Sequence, residues 1–257
     1  MKRSWLLIMG FSLLVLLGTV LVTFPAVLAW NWWGTNAPGL TLQGVSGTLW
    51  KGSAMRASVR GQALGRLDWQ LSPWRTITGN PQIQVQLSGT DLNLSALIAA
   101  RGEHEIAITA LNAQAQAGWL APVLAIPALE PTGMLVTQNA NMVLTRLGLP
   151  RDIDAQLEWR DAGVRGQVVA RLGTLQISAR GSNGLIDASV NDRGDGDLEV
   201  RGNARLDQGN YRVETILVPR VSTGPIVEAL QWIGAPRIEG GRLLVVEGRV
   251  DVGQETL

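Results

Sequence analysis

The 257 residues carry 22 Lys and Arg against 21 Asp and Glu, one His and no Cys. Without cysteine there is no disulfide and no thiolate chemistry, so burial and hydrogen bonds must hold the fold. Near-neutral charge with both signs interspersed excludes a basic surface for reading nucleic acid, and no nucleic-acid partner is expected.

Residues 1–4 are a short tail containing Lys2 and Arg3, and the next charge in the chain is Lys51. From Trp5 to Ala29 the sequence is almost wholly apolar. At a rise of about 1.5 Å per residue, roughly 20 such residues cross a hydrocarbon core of about 30 Å. Residues 5–29 are therefore predicted to form a transmembrane helix, whose backbone satisfies itself in lipid. Lys2 and Arg3, with no compensating acid, keep the tail cytoplasmic and deliver the rest of the chain to the opposite side. Trp5 marks one edge of the run, and Trp30, Trp32 and Trp33 mark the other, as indoles do at membrane interfaces. The rival is a cleaved signal peptide, for which Val27-Leu28-Ala29 loosely resembles a cleavage site. The run is longer than the usual apolar core of about 7–15 residues in such a peptide.

Residues 30–39 read as a linker rich in Asn, Gly and Pro. From residue 40 the pattern changes to period two. Segments 40–49, 54–60, 64–71, 82–88, 106–108 and 111–117 alternate apolar with polar or small residues, as half-buried strands do. Residues 91–100 begin the same way and end in a pattern that fits a short helical turn. Pro122, Pro127 and Pro131 interrupt 119–131, which is predicted to be an extended connection between two halves. Beyond it, 134–144, 153–159, 164–170, 175–179, 185–190, 198–206, 211–218 and 242–250 read as strands. Turn chemistry separates them at Asp161-Ala162-Gly163, Ser182-Asn183-Gly184, 192–196 and 207–210. One short helix follows Thr223 and Pro225, with Ile226, Leu230 and Ile233 on one face, ended by Gly234 and Pro236. The prediction is an all-β domain over 40–257, mostly antiparallel, elongated or curved, behind an N-terminal transmembrane helix.

No pattern for catalysis stands out. His104, between Glu103 and Glu105, has no nucleophile motif or ligand spacing around it and reads as a solvated turn residue. Asp192, Asp195 and Asp197 depart from the calcium-loop spacing and read as a glycine-rich hairpin turn. No phosphate loop precedes a helix. Asp152 and Asp154 flank no recognisable cleft. No cofactor, no metal and no enzymatic activity are expected.

Two short pieces carry a resemblance. One is Gly44-Val45-Ser46-Gly47-Thr48-Leu49-Trp50-Lys51-Gly52, and the other ends in Trp69-Gln70-Leu71-Ser72-Pro73. With a single N-terminal span ahead of them, they resemble the protein N family of bacterial type II secretion systems. The resemblance runs over the whole chain in order and size, and Gly47 to Gly52 is its most specific part. It implies an accessory inner-membrane component, single-pass, with a periplasmic domain that contacts other secretion components. It brings no catalytic residue. Read from physics alone, the glycines allow sharp turns, while Leu49, Trp50 and Trp69 are expected to anchor a core. Exposed strand edges would be the docking surface. A second reading stays open: an anchored sheet whose apolar face, including Val59, Leu67, Ile83, Val85, Leu175, Ile177 and Val200, holds lipid, unless a second sheet covers it.

Overall fold

The computed structural model describes residues 23–34, 39–102, 104–120, 129–166, 169–232 and 234–250. Lys2, Arg3, Trp5 and most of the predicted anchor lie outside the described residues, as do 121–128 of the predicted connection. Among the described residues no helix is long and apolar enough to cross a membrane. The chain divides into two compact units, Met1–Thr90 and Asp91–Leu257.

The first unit is an antiparallel sheet of four strands, β1 (Leu40–Gly47), β2 (Lys51–Val59), β3 (Gln62–Leu71) and β4 (Gln82–Ser88), paired in chain order. Helix α1 (Ala26–Trp33) begins inside the stretch assigned to the anchor and takes in Trp30 to Trp33 of the predicted linker. Pro25 precedes it in extended conformation and pairs with Thr48, so a new helix starts at the end of the sheet. Ala26 and Ala29 are buried; small side chains let the helix approach the strands closely. A second helix, α2 (Pro73–Ile77), continues from β3 where only a strand end was read. Proline at its first position and the Thr76 hydroxyl bonding the Ser72 carbonyl at 2.8 Å start and hold it.

The second unit is again one antiparallel sheet. Its strands are β5 (Leu92–Arg101), β6 (Glu105–Gln116), β7 (Leu129–Thr145), β8 (Pro150–Gly166), β9 (Ala170–Ser182), β10 (Leu185–Asp192), β11 (Leu198–Asp207), β12 (Asn210–Pro219), the two-residue β13 (Ala235–Pro236) and β14 (Arg242–Arg249). They pair in chain order to β12, after which β14 lies beside β12 and β13 lies outermost. Helix α3 (Pro225–Leu230) connects β12 to β13, within the helix predicted from sequence.

Three local readings change. Residues 92–100 stay extended with no helical turn, because β5 pairs with β6 from Leu92 to Arg101, interrupted only by a bulge at Ala96. Asp161-Ala162-Gly163 is a bulge inside the 17-residue β8 and not a turn, with Asp161 at φ 49°. The stretch 119–131 joins two neighbouring strands of one sheet, and the division into compact units falls after Thr90. Pro131 is part of β7 and faces Val164. Ahead of Met134, which faces the last residue of β6, the other side of β7 has no strand partner among the described residues, so the missing amide costs no ladder bond there.

The predicted Asn183–Gly184 turn forms as expected, with φ of 55° and 81°. A bulge between β6 and β7 is held by two asparagines. Asn141 accepts from the Ala110 amide at 3.1 Å, and Asn112 accepts from the Asn139 amide at 3.0 Å. The interspersed charges of the second unit become a ladder. Asp154 faces Arg180, which faces Asp187, which faces Arg205, across β8 to β11. Each exposed pair is worth at most about 1 kcal/mol.

Candidate functional site

The Gly47–Gly52 piece is the β1–β2 turn, and it ties three parts of the first unit together. Gly47 pairs with Gly52 across the turn, and Thr48 donates to the Lys51 carbonyl at 2.9 Å. The Leu49 amide donates to the Phe24 carbonyl at 2.9 Å, and Leu71 donates to the Trp50 carbonyl at 2.7 Å. The turn thus clamps the chain that enters α1 on one side and the end of β3 on the other. Trp69 packs against Gly52: a Cβ there would stand 2.5 Å from the indole and 2.8 Å from the Ser46 carbonyl. The indole N–H in turn donates to the Leu49 carbonyl at 3.2 Å. Gly44 sits within β1 against the Met55 side chain. Pro73 opens α2 at the same end of the sheet.

Between α1 and the sheet is an apolar cavity of about 260 Å³, lined by Ala26, Ala29 and Trp30 and by Leu42, Leu49, Leu67, Trp69, Leu71, Ile83 and Val85. Trp30 therefore faces the strands, whereas Trp32 is 66% exposed. Its ring lies 5.9 Å from that of Phe24. Trp33 ends α1. Val59 is exposed, and Leu67, Ile83 and Val85 belong to this cavity.

In the second unit α3 covers the apolar side of the sheet. Ile226 and Leu230 pack with Leu175, Leu198 and Val200, and Trp159 and Leu217 join at the margin. Two arginines bracket this helix. Arg220, just before it, holds Asp192 at 2.6 Å and also donates to the carbonyls of Gly196 and Leu198. Arg242 donates to the Leu230 carbonyl at 2.7 Å and to that of Gln231, capping the helix end. Asp192 also accepts from the Gly194 and Val200 amides, at 3.0 and 2.9 Å. Burial pushes the Asp192 carboxyl up, but Arg220 and the two amides outweigh it and hold the group below the usual carboxylate range. The amide and hydroxyl of Thr174 likewise lower Asp195. Asp197 pairs with Arg171 at 3.6 Å. The three acids of the 192–197 turn thus serve different loops, and among the described residues no cluster of potential metal ligands forms. His104 is exposed in the β5–β6 turn; Ile177 lines a mixed polar groove with Gln156, Glu158 and Gln176.

Sequence reasoning missed the outer edge of β14. Strand β13 covers it only at Leu243 and Arg242. Val250 donates to the Gly209 carbonyl at 2.8 Å, and the register back to Leu217–Arg242 has no slip. Alternation then turns Gly248, Val246 and Leu244 toward β12, and directs the amides of Glu247 and Val245 to the uncovered side. Among the described residues this side has no strand partner. The signal was present in the sequence as Gly234 and Pro236, which end the helix close to β14 and leave only a two-residue cover.

Charge also separates by unit. Residues 1–90 contain Lys2, Arg3, Lys51, Arg56, Arg60, Arg66 and Arg75, with Asp68 as the one acid. The remainder holds 15 basic and 20 acidic residues. The signs are interspersed in the second unit alone.

Comparison with known proteins supplies the family. No solved structure matches the chain. It is similar to a type II secretion system protein N of Aeromonas hydrophila, 33% identical over 86 residues, which is 34% of this chain and 34% of that protein. The chain thus spans about a third of the length of that relative. The family description "Type II secretion system (T2SS), protein N" matches residues 38–245, from just before β1 into β14. With the Gly47–Gly52 turn and both helices α2 and α3 inside that match, the chain belongs to the type II secretion system protein N family.

Proposed function

We propose that the chain is an accessory inner-membrane component of the type II secretion system, single-pass, with its N-terminus cytoplasmic and both β units periplasmic. It assists export of folded proteins across the outer membrane by contact with other secretion components, and it contributes no chemistry of its own. The uncharged run supports the topology: from Trp5 to Phe24, ahead of Pro25 and α1, the chain is still about 20 residues long, enough to cross.

The observation that carries the contact reading is the open edge of β14. Its outward amides and carbonyls are a template for a strand from a partner. Val245 and Val246 are both partly exposed there, so backbone pairing would be joined by apolar contact. A photo-crosslinking residue at Val245, in the native envelope, tests this. Capture of an identified secretion component supports the reading. Recovery of no secretion component, with the protein at normal level, contradicts it.

A further inference from the structure

The first unit has an end with an unusual surface. The chain enters there at Thr23, from residues 5–22 that carry no charge. Phe24 is bonded to Leu49 and Trp50 to Leu71, so about two strand spacings, roughly 10 Å, separate that point from the start of α2. On α2, Trp74 is 75% exposed and Ile77 is 65% exposed. A tryptophan this bare on a five-residue helix makes no contribution to a core. Arg75 stands between them and Lys51 starts β2 at the same end; both are exposed, and neither is ion-paired to a described residue. Asp68, the one acid of the unit, is engaged by Arg66 at 2.9 Å. Along α1 the uncovered side is mostly apolar, with Val27, Leu28 and Trp32 exposed beside Asn31, and the ring of Phe24, just ahead of the helix, lies against Trp32.

We propose that this end of the first unit rests on the surface of an anionic lipid bilayer, with Trp74 and Ile77 sunk in the interface and Lys51 and Arg75 against lipid phosphates. A bare indole beside unpaired cations and no acid is the chemistry of a membrane interface, where the ring is half apolar and the phosphates attract arginine and lysine. The uncharged run leading into the same end names the occupant. The inference rests on the reading that this run crosses the membrane, and it adds that the folded unit lies down on the bilayer instead of standing off it.

The chain has no cysteine, so single labels are free of background. Full-length protein carrying Ile77→Cys or Ser88→Cys, each spin-labelled, is reconstituted in vesicles of phosphatidylethanolamine with phosphatidylglycerol. Ser88 is exposed at the far end of β4, opposite Arg66 and away from Lys51 and α2. Collision with a water-soluble nickel complex is expected to be at least about threefold lower at residue 77 than at residue 88, on the scale of one interfacial burial. Lys51→Gln with Arg75→Gln lowers the docked-to-undocked ratio roughly 25-fold, about fivefold per charge. Equal nickel access at both positions in these vesicles overturns the proposal. A carbonate wash separates the two levels: retention of the chain with residue 77 in water sinks the surface contact alone, and release of the chain sinks the membrane span and the contact together.

Discussion

Each unit lays one helix across the apolar side of an antiparallel sheet, and the two helices are fastened differently. Helix α1 carries no charge; backbone bonds from the Gly47–Gly52 turn hold its start, and the fit of Trp69 on Gly52 holds the turn. Helix α3 is held by charge, with Arg220 on Asp192 before it and Arg242 on its last carbonyls. Their outer sides differ as well: Leu28 and Trp32 are exposed on α1, and Glu228 is exposed on α3. A helix with a charged outer side is finished in water. One with apolar residues on both sides is finished only against a second apolar phase.

The largest expected effect breaks the first fastening. Gly52→Val drives two methyl groups into the Trp69 indole and the Ser46 carbonyl, costing about 2–4 kcal/mol. Hydrogen exchange should show lost protection in β1 to β3. Next comes the charged fastening. Asp192→Asn leaves Arg220 without its counter-ion at a site where the carboxylate is 7% exposed, and should cost about 2–3 kcal/mol in urea unfolding. The same pair gives a pH dependence. Because the folded carboxyl titrates below its unfolded value near 3.9, its stabilisation is complete above that value and disappears as pH falls through the folded one. Acid should therefore expose α3 and its contacts before it touches α1, and Asp192→Asn should abolish that order. The smallest effect sharpens the contrast. Leu28→Ser, on the bare side of α1, should change unfolding in water by less than about 0.5 kcal/mol.

The strands were legible because period-two alternation survives wherever one side of a sheet is covered, as at Ile83, Val85 and Leu87 in β4. The turn at Asn183–Gly184 was legible from residue type alone. Helix α2 was missed although Ser72-Pro73 is a starting signal, because a five-residue helix has no room for periodicity. The Asp161 bulge looked like a turn since both need positive φ, and only pairing with β7 and β9 tells them apart. The clamp role of Gly47–Gly52 was readable as sharp backbone, but its partners Phe24 and Trp69 are set by long-range pairing. Arg220 on Asp192 does not follow from local sequence, and Gly234 and Pro236 signal only that the cover of β14 is short; which side stays open depends on which strands end up as neighbours.

The most direct measurement of contact through β14 is export itself, in a strain whose secretion depends on this chain. Val245→Pro removes an amide that points to the open side and leaves the β12 ladder intact, so the protein should fold and accumulate normally. Secretion of a folded substrate into the medium should then fall about tenfold or more, as expected for losing a strand-addition contact. Export at the wild-type rate, with the substituted protein present at the wild-type level, would contradict the account.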